Sequence, residues 1–466
     1  MSLSSDKDFN EVFNVYRSFG VDIDVKCRFG EGIIEVGDNR YKVDYSPKMN
    51  EARGRKHALY AVMSDYTGIT LPWGSLTGIR PTKLAYELLV QGKTVDDLAD
   101  YGVSKEKIEA VKAILENQEP FTTSYKKVNF YVHIPFCSSR CNYCSFVSMP
   151  VNKKTLPLMQ RYTELLKGEI ESGLKLLSEN GYEIDSIYVG GGTPTALSAP
   201  QLEQLMSHIA RTFDLKSLDE YTVEAGRPDC TDEEKLRIIK EYGATRISIN
   251  PQTFSDEVLR NIGRRHTAQD ILDCYRTARR VGHDNINMDL IAGLPGDTVE
   301  GFRHSLQTAI DLDPENITVH TLTLKRASNL VVEHRAADYA DVAAMVESCE
   351  LLEKAGYRPY YLYRQKGTLQ NLENVGWCKP GYECLYNIYI MEEVHTILSA
   401  GAGGSTKLVA PGARHGKIER IFNYKYPTEY IDRFDTILAR KEGVKQFYDQ
   451  YPNCGESARP QAHGGV

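Results

Sequence analysis

Three cysteines lie close together in the segment YVHIPFCSSRCNYC, residues 131–144. The C-x3-C-x2-C spacing of Cys137, Cys141 and Cys144 places three thiolates on one loop, directly after a predicted strand. Thiolates are the usual ligands of iron–sulfur clusters. Three of them can hold three irons of a [4Fe–4S] cubane and leave the fourth open. The spacing therefore favours an iron–sulfur site. The two alternatives are a zinc site, which requires four ligands, and three buried thiols without a metal.

An open iron can bind the amino and carboxylate groups of S-adenosylmethionine (SAM), whose C–S bond an electron from the cluster can break. The segment GGGTPT, residues 190–195, follows the next predicted strand. Glycines there permit positive φ and close approach of a ligand to the backbone. A tight turn into the next helix is the alternative. Because the segment lies one strand–helix unit after the cysteine loop, we interpret it as the binding site for the amino group of the methionine moiety of SAM.

Polar side chains close several later strands. Glu224, Asn250, Gln252 and Asp289 each stand at the end of an apolar run, where burial without partners is costly. The alternative for each is a helix cap or a loop hydrogen bond. Together they predict a site for ribose and amino-acid recognition.

Basic side chains form another set. Arg264 and the pair Lys325 and Arg326 follow predicted strand ends, where a polycarboxylate substrate would need guanidinium or ammonium partners. A solvated surface is the alternative for each. The other basic groups of this region are Arg265, His266, Arg276, Arg279, Arg280 and Arg364.

Alternating strands and helices are expected to position these groups. Six strand–helix units predict a parallel sheet with helical crossovers, an α/β fold. A full eight-stranded barrel would need two more units, so a partial (β/α)6 barrel is favoured over a flat, doubly wound sheet. The predicted strands are 128–134, 186–189, 221–225, 246–249, 285–291 and 316–321, and the predicted helices are 159–177, 199–212, 232–242, 268–281 and 299–312.

Two further regions flank the predicted barrel of residues 126–365. Residues 1–125 mix strand-like and helix-like segments and are predicted to form a separate α+β N-terminal domain. Residues 366–466, where the alternation fades, are predicted to form a small C-terminal region with a disordered tail from 452 onward.

Composition narrows the class of protein. Of 466 residues, 41% are hydrophobic, and the net charge of −7 argues against nonspecific binding of nucleic acid, which needs a basic surface. No apolar run approaches the about 18 residues of a membrane span. The first residues lack the layout of a signal peptide, so we expect a soluble, cytoplasmic protein whose ten cysteines form no disulfide framework.

The motifs taken in order resemble a known family. HIPFCSSRCNYCSF, GGGTPT, NPQTF and DLIAGLP together are similar to the radical SAM family of oxygen-independent coproporphyrinogen III oxidases. The resemblance covers roughly residues 126–440. The segments LTGIRPTK, GYRPYYLYRQK and NLENVG look most like the HemZ-type branch of that family.

The resemblance implies a reaction in haem biosynthesis. Two propionate groups of coproporphyrinogen III would be oxidatively decarboxylated to the vinyl groups of protoporphyrinogen IX, after a 5′-deoxyadenosyl radical removes hydrogen from the propionate β-carbon. It further implies a [4Fe–4S] cluster, SAM in one or two copies, a tetrapyrrole substrate and an electron donor of the reduced flavodoxin or ferredoxin type.

The resemblance also assigns roles to residues by motif. Cys137, Cys141 and Cys144 would bind the cluster, and Tyr131, Gly191 and Glu224 would contact the cluster-bound SAM. A second SAM site would be formed by Tyr143, Gly192, Thr193, Gln252, Arg264 and Asp289. The candidate catalytic residues are Tyr131, Glu224 and Gln252.

Two departures from the family pattern keep other functions open. The oxidases proper carry a further cysteine where this chain has Phe146, and a phenylalanine where it has Tyr143. Both changes are shared with a sister group that carries haem, so a haem-binding chaperone without porphyrin turnover is the alternative. A radical SAM methyltransferase or haem-opening enzyme is a third.

Overall fold

The computed structural model describes residues 7–44, 49–77, 80–121, 127–323, 341–365, 368–410 and 417–451. Lys325, Arg326 and the tail from residue 452, for which the sequence made predictions, lie outside these ranges. Within them, no helix is both long and apolar enough to cross a membrane.

The N-terminal region has its own small sheet and core. Three short antiparallel strands, in the order β1-β2-β3, pack beside helices and form a separate cluster of buried apolar side chains. Ser104 caps the last helix of this region by accepting a hydrogen bond from the backbone N–H of Lys107 at 3.4 Å. The strands are β1 Val25–Arg28, β2 Ile33–Val36 and β3 Asn39–Lys42, and the helices are Lys7–Ser18, Glu51–Thr67, Pro81–Val90 and Lys105–Gln118.

Six parallel strands form the centre of the molecule. They lie side by side in chain order, and a helix follows each of the first five. This confirms the predicted α/β fold with a partial (β/α)6 barrel. The parallel strands are β4 Lys127–Ile134, β7 Glu183–Gly191, β8 Glu220–Glu224, β9 Arg246–Ser248, β10 Ile286–Ala292 and β11 Asn316–Thr321; two short strands, β5 Phe136–Cys137 and β6 Met149–Pro150, flank the cysteine loop. The helices are Leu156–Glu179, Ala199–Thr212, Glu233–Glu241, Asp256–Asn261, Ala268–Val281 and Val299–Asp311.

These strands form because most of their side chains are apolar and buried, while polar side chains such as Asn287 and Asp289 lie on the face that lines the cavity. In β10 six of seven residues are buried, as expected for a parallel strand covered on each side. Helix ends are fixed locally: Thr267 and Asp270 form a capping box, and Gly282 in the left-handed region ends the same helix. The strand ends thus meet at one edge of the sheet, where the polar residues follow.

The C-terminal region extends the same sheet at both edges. The strand order is β12-β13-β11-β10-β9-β8-β7-β4-β14-β15-β16, with β13 antiparallel to β11 and β14 parallel to β4. Strand β12 and the strands that follow residue 365 therefore complete the sheet around the barrel strands. The strands are β12 Arg358–Arg364, β13 Glu373–Cys378, β14 Ile397–Ala400, β15 Ser405–Val409 and β16 Ile418–Phe422, and the helices are Val342–Glu347, Glu350–Lys354, Leu385–Glu392, Pro427–Asp432 and Phe434–Gln450.

Candidate functional site

One cavity lies at the carboxyl ends of the parallel strands. Its volume is about 420 Å³, within the range of small-molecule sites. All twelve site residues selected from the sequence line it, namely Tyr131, Cys137, Cys141, Tyr143, Cys144, Gly191, Gly192, Thr193, Glu224, Gln252, Arg264 and Asp289. The structure thus brings the predicted set together; the role of each residue is a separate question.

The cysteine loop is fixed by hydrogen bonds to the segment that follows a short helix, Asp256–Asn261. The Asn142 backbone N–H donates to Ile262 O, and its side-chain amide donates to Asn261 O, both at 2.9 Å. The Ser139 hydroxyl donates to Gly263 O at 3.2 Å. These bonds hold the loop over the strand ends.

Arg227 contacts the loop directly. Its guanidinium donates to the Cys141 Sγ at 3.4 Å and to the Ser139 carbonyl at 3.1 Å, and it forms a salt bridge with Asp229 at 2.9 Å. On the opposite side, the Thr193 hydroxyl donates to Cys137 Sγ at 3.6 Å. Two of the three sulfurs therefore already accept hydrogen bonds, which suit a thiolate.

Cys141 is buried, and Cys137 and Cys144 are partly buried. Burial raises the pKa of the Cys137 thiol and raises the pKa of Cys144 to about 11, and the neighbouring Cys141 adds to both. Such thiols bind metal by giving up their protons, so metal binding at this loop is coupled to deprotonation.

The glycines of the segment GGGTPT are needed for close packing of the backbone as well as for the approach of a ligand. Gly191 has φ +109°, and a Cβ there would lie 2.1 Å from the His133 ring. A Cβ on Gly192 would lie 2.5 Å from Phe136 O. The backbone N–H groups of Gly192 and Thr193 donate to the carbonyls of Ile134 and Phe136. The motif therefore fastens β7 to the start of the cysteine loop.

Glu224 lies at the end of β8 beneath this motif. Its carboxylate accepts a hydrogen bond from the Tyr188 hydroxyl at 2.7 Å, and the Gly191 N–H also donates to it. Burial is the main reason why the pKa of Glu224 rises to about 7, and Asp289 adds to the rise. The Tyr131 ring lies 5.9 Å from that of Tyr188, nearly parallel to it. Glu224 can thus hold or release a proton near neutral pH.

Gln252 and Asp289 are joined through their backbones. Gln252 has φ +67°, a strained value for this residue type, and its N–H donates to Asp289 O at 2.8 Å. The Asp289 carboxylate accepts from the Asn287 amide at 2.8 Å and lies 3.7 Å from His320 Nε2. Although burial works against ionisation, His320 and Asn287 hold the pKa of Asp289 below its usual value. Asp289 is therefore an anion at neutral pH.

Arg264 connects Asn250, which follows β9, with Tyr143 of the cysteine loop. Its Nη1 donates to Asn250 O at 2.8 Å and its Nη2 donates to the Tyr143 hydroxyl at 3.3 Å, while its Nε is buried without a partner among the described residues. The Asn250 Oδ1 is likewise buried and unpartnered there.

The other predicted basic groups lie elsewhere. Arg279 pairs with Glu315 at 3.0 Å on the outer helix layer, and Arg276 pairs with Asp273 at 3.3 Å on the same helix. The Arg364 guanidinium lies 5.3 Å from the Trp73 ring centre, at the N-terminal region. None of the three lines the cavity.

Sequence reasoning missed several lining residues. Tyr188, Arg227, Arg246 and His320 all line the cavity, and Tyr188, Arg246 and His320 lie within strands. The available signal was a polar or aromatic residue at alternate positions inside an otherwise apolar strand, which marks the face toward a barrel interior. Arg227 follows β8 by three residues. Glu224 was selected as a polar residue at the end of a strand, and the same argument could have selected Arg227.

The residues present fit a cluster with bound SAM. Three thiols line one cavity beside N–H and O–H donors, and two residues of the same lining, Arg264 and Asn250, each have a buried polar atom without a partner among the described residues. No group of three His, Cys, Asp or Glu side chains among the described residues has the spacing of a site for a single metal ion.

Comparison with known proteins agrees with this donor set. The family model of the radical SAM superfamily matches residues 131–309. The chain is 40% identical to the oxygen-independent coproporphyrinogen-III oxidase-like protein HemZ of Bacillus subtilis, over 85% of this chain and 83% of that one. It is 39% identical to the heme chaperone HemW of the same organism, over 71% of this chain and 84% of that one.

Among solved structures, the chain resembles coproporphyrinogen III oxidase HemN from Escherichia coli, with a TM-score of 0.53 and 22% identity over 67% of this chain and 70% of that one. This likeness supports the fold. Radical SAM proteins use a [4Fe–4S] cluster and SAM, and these are the cofactors of this chain. The chain belongs to the radical SAM superfamily and, within it, to the HemZ-type branch of the oxygen-independent coproporphyrinogen III oxidases and oxidase-like proteins.

Proposed function

We propose that the protein decarboxylates two propionate side chains of coproporphyrinogen III oxidatively, without oxygen, to give the vinyl groups of protoporphyrinogen IX. The B. subtilis oxidase-like relative supports this, because the alignment includes most of both chains. The observation that carries the proposal is the cavity itself. It combines three thiols with a set of acidic, basic and tyrosine side chains in one cavity.

Each cofactor would be held by a defined part of the cavity. Cys137, Cys141 and Cys144 would hold the cluster, and Tyr131, Gly191 and Glu224 would contact the SAM bound to it. When bound, the two groups supply hydrogen-atom abstraction by one-electron chemistry. The residues for a second SAM molecule would be Tyr143, Gly192, Thr193, Gln252, Arg264 and Asp289. The electron donor would be a reduced flavodoxin or a ferredoxin-type protein.

The side chains themselves would orient the reactants and control protons. Asp289, held as an anion by His320 and Asn287, suits hydroxyl or ammonium donors of a ligand. Glu224, with a pKa of about 7, would accept hydrogen bonds from a ribose when ionised. Gln252 lines the cavity and has a strained backbone, and strain of this kind is typical of functional sites.

The test is an anaerobic turnover. Reconstituted protein is mixed with SAM, a one-electron reductant and coproporphyrinogen III, and the products are separated by chromatography and identified by mass. Protoporphyrinogen IX, with 5′-deoxyadenosine formed alongside it, is expected. Formation of 5′-deoxyadenosine without any loss of carbon dioxide from the tetrapyrrole would refute the proposed reaction.

A haem chaperone is the second candidate. Two observations favour it: the 39% identity to HemW, and Phe146, which stands 64% exposed in the cysteine loop where the oxidases proper carry a cysteine. An exposed aromatic ring offers a surface on which a flat macrocycle packs. Stoichiometric, tight binding of haem together with no turnover of coproporphyrinogen would favour this function over the first.

A further inference from the structure

Arg246 is a buried cation without a hydrogen-bond partner among the described residues. It begins β9 and lines the cavity, yet only 2% of it is exposed. Its Nε and Nη2 are buried and unpartnered, and no hydrogen bond or salt bridge joins it to any residue of the described ranges. A guanidinium removed from water in this way is costly unless acceptors replace the water.

The nearby carboxylates do not supply those acceptors. Glu220 accepts hydrogen bonds from the Thr222 hydroxyl at 3.0 Å, from the Cys384 thiol at 3.3 Å and from the Leu385 N–H at 2.7 Å, so both of its oxygens are engaged. Glu224 is engaged by the Tyr188 hydroxyl. The charge of Arg246 is compensated by groups that form no hydrogen bond with it. Its Nε and Nη2 donors therefore have no acceptor among the described residues.

The position of Arg246 is the floor of the cavity. It pairs in register with Thr222, whereas Ser248 pairs with Glu224. Side chains two residues apart on a strand share a face, so Arg246 lies one layer beneath Ser248 and Glu224. Of the proposed cofactor contacts, Glu224 lies one layer above Arg246, whereas Tyr131 is in register, through Tyr188 and Thr222, with the Arg246 layer itself. A ligand group that reaches Arg246 would therefore lie at the depth of Tyr131, beneath Glu224.

We infer that Arg246 binds a carboxylate group of the substrate at the floor of the cavity. The planar guanidinium offers parallel N–H donors that match the two oxygens of a carboxylate. The inference rests on the proposed function, in which the substrate carries propionate side chains. One propionate held at the floor would fix the depth and rotation of the tetrapyrrole relative to the cofactors.

Binding can be measured without turnover. Coproporphyrin III, the oxidised and fluorescent form of the substrate, is titrated anaerobically into cluster-loaded protein, and its tetramethyl ester serves as the probe without free carboxylates. The wild type should prefer the free acid. In Arg246→Met this preference should fall by about ten- to hundredfold, the usual effect of losing a charged hydrogen bond. Arg246→Lys, which keeps the charge without the planar fork, should fall between the two.

Arg279→Met is the matched control, because it removes an arginine that is paired with Glu315 outside the cavity; its preference should equal that of the wild type. Iron content per chain is measured for every variant so that all are compared at equal cluster loading. If both Arg246 variants keep the full preference while the wild type turns over coproporphyrinogen, the inference fails and the proposed function stands. If the wild type does not bind the free acid, both fail.

Discussion

At the scale of single residues, Cys141 should decide whether the cysteine loop holds a cluster. Cys141 is buried in the loop, and two thiolates alone do not retain a cubane. We predict that Cys141→Ala abolishes cluster loading after anaerobic reconstitution. The measurement is iron and sulfide content per chain, together with the visible absorbance of the cluster.

The control for this prediction is Cys274→Ala. Cys274 is also buried, but it lies in a helix outside the cavity, so its removal should leave the iron content unchanged. Iron content equal to that of the wild type in the Cys141 variant would contradict the assignment of this thiol as a ligand.

Glu224 should make the stability of the cofactor-free protein depend on pH. Its folded pKa of about 7 lies above the ordinary value of 4.5, chiefly because it is buried. Between those values the native state keeps a proton that the unfolded chain has released. The unfolding free energy therefore falls as pH rises through this window.

The variant Glu224→Gln should lack that contribution. Measured by thermal unfolding from about pH 5 to about pH 8, the wild type should lose stability relative to the variant as the pH rises. Because other groups titrate in both proteins, the quantity to compare is the difference between the two melting temperatures. A difference that stays constant across the range would show that Glu224 does not titrate as stated.

At the scale of elements, Gly191 couples β7 to β4. An alanine there meets two costs: a positive φ, and a Cβ that would lie 2.1 Å from the His133 ring. Gly181 has a positive φ of +74° with no atom within 4 Å of its Cβ position. We predict that Gly181→Ala costs about 1 kcal/mol of unfolding free energy, whereas Gly191→Ala costs about 3 kcal/mol or more. The loss of unfolding free energy is measured for both variants in denaturant. The excess loss in Gly191→Ala reports the collision with His133, and equal losses would show that no collision occurs.

The barrel strands were predictable because each is a short apolar run bounded by polar residues. β11, for example, has the predicted limits 316–321, and the polar residues at the strand ends do converge on one cavity, as parallel topology requires. The contacts that position these side chains could not be predicted. Arg227 donates to Cys141, and Arg246 lies in β9. The residues around both arginines come from distant parts of the chain, and no local sequence pattern specifies such contacts.

The C-terminal strands were missed for a related reason. β13 pairs with β11 and β14 pairs with β4, strands far away in the sequence, and no regular alternation with helices indicates them. β13 and β12 supply the antiparallel edge at one side, and β14 supplies a parallel neighbour to β4 at the other. Pairing over such separations is decided by tertiary packing, which local propensity does not encode.

At the scale of the whole molecule, the N-terminal region is joined to the barrel by buried polar contacts. The Trp73 indole N–H donates to the Glu373 carboxylate at 2.6 Å, and the Gln118 amide donates to Tyr360 O at 2.9 Å. Leu362 of β12 packs into the same apolar cluster as Trp73. The boundary at residue 125 stays a prediction, but these contacts indicate that the two regions stabilise each other.

Glu373 is the centre of this joint, because its carboxylate also forms a salt bridge with Lys107 and is only 4% exposed. In Glu373→Gln the amide oxygen can still accept from Trp73, but Lys107 loses its counter-charge, and removing one partner of a buried pair should cost about 3 kcal/mol. Glu350→Gln makes the same chemical change in an exposed pair with Lys354 and should cost about 0.5 kcal/mol or less. Unfolding of both variants in denaturant gives the two values. Because Glu373 itself does not line the cavity, cluster loading should be unchanged in the Glu373 variant under native conditions; a full loss of iron together with a small loss of stability would show instead that the N-terminal region acts on the site directly.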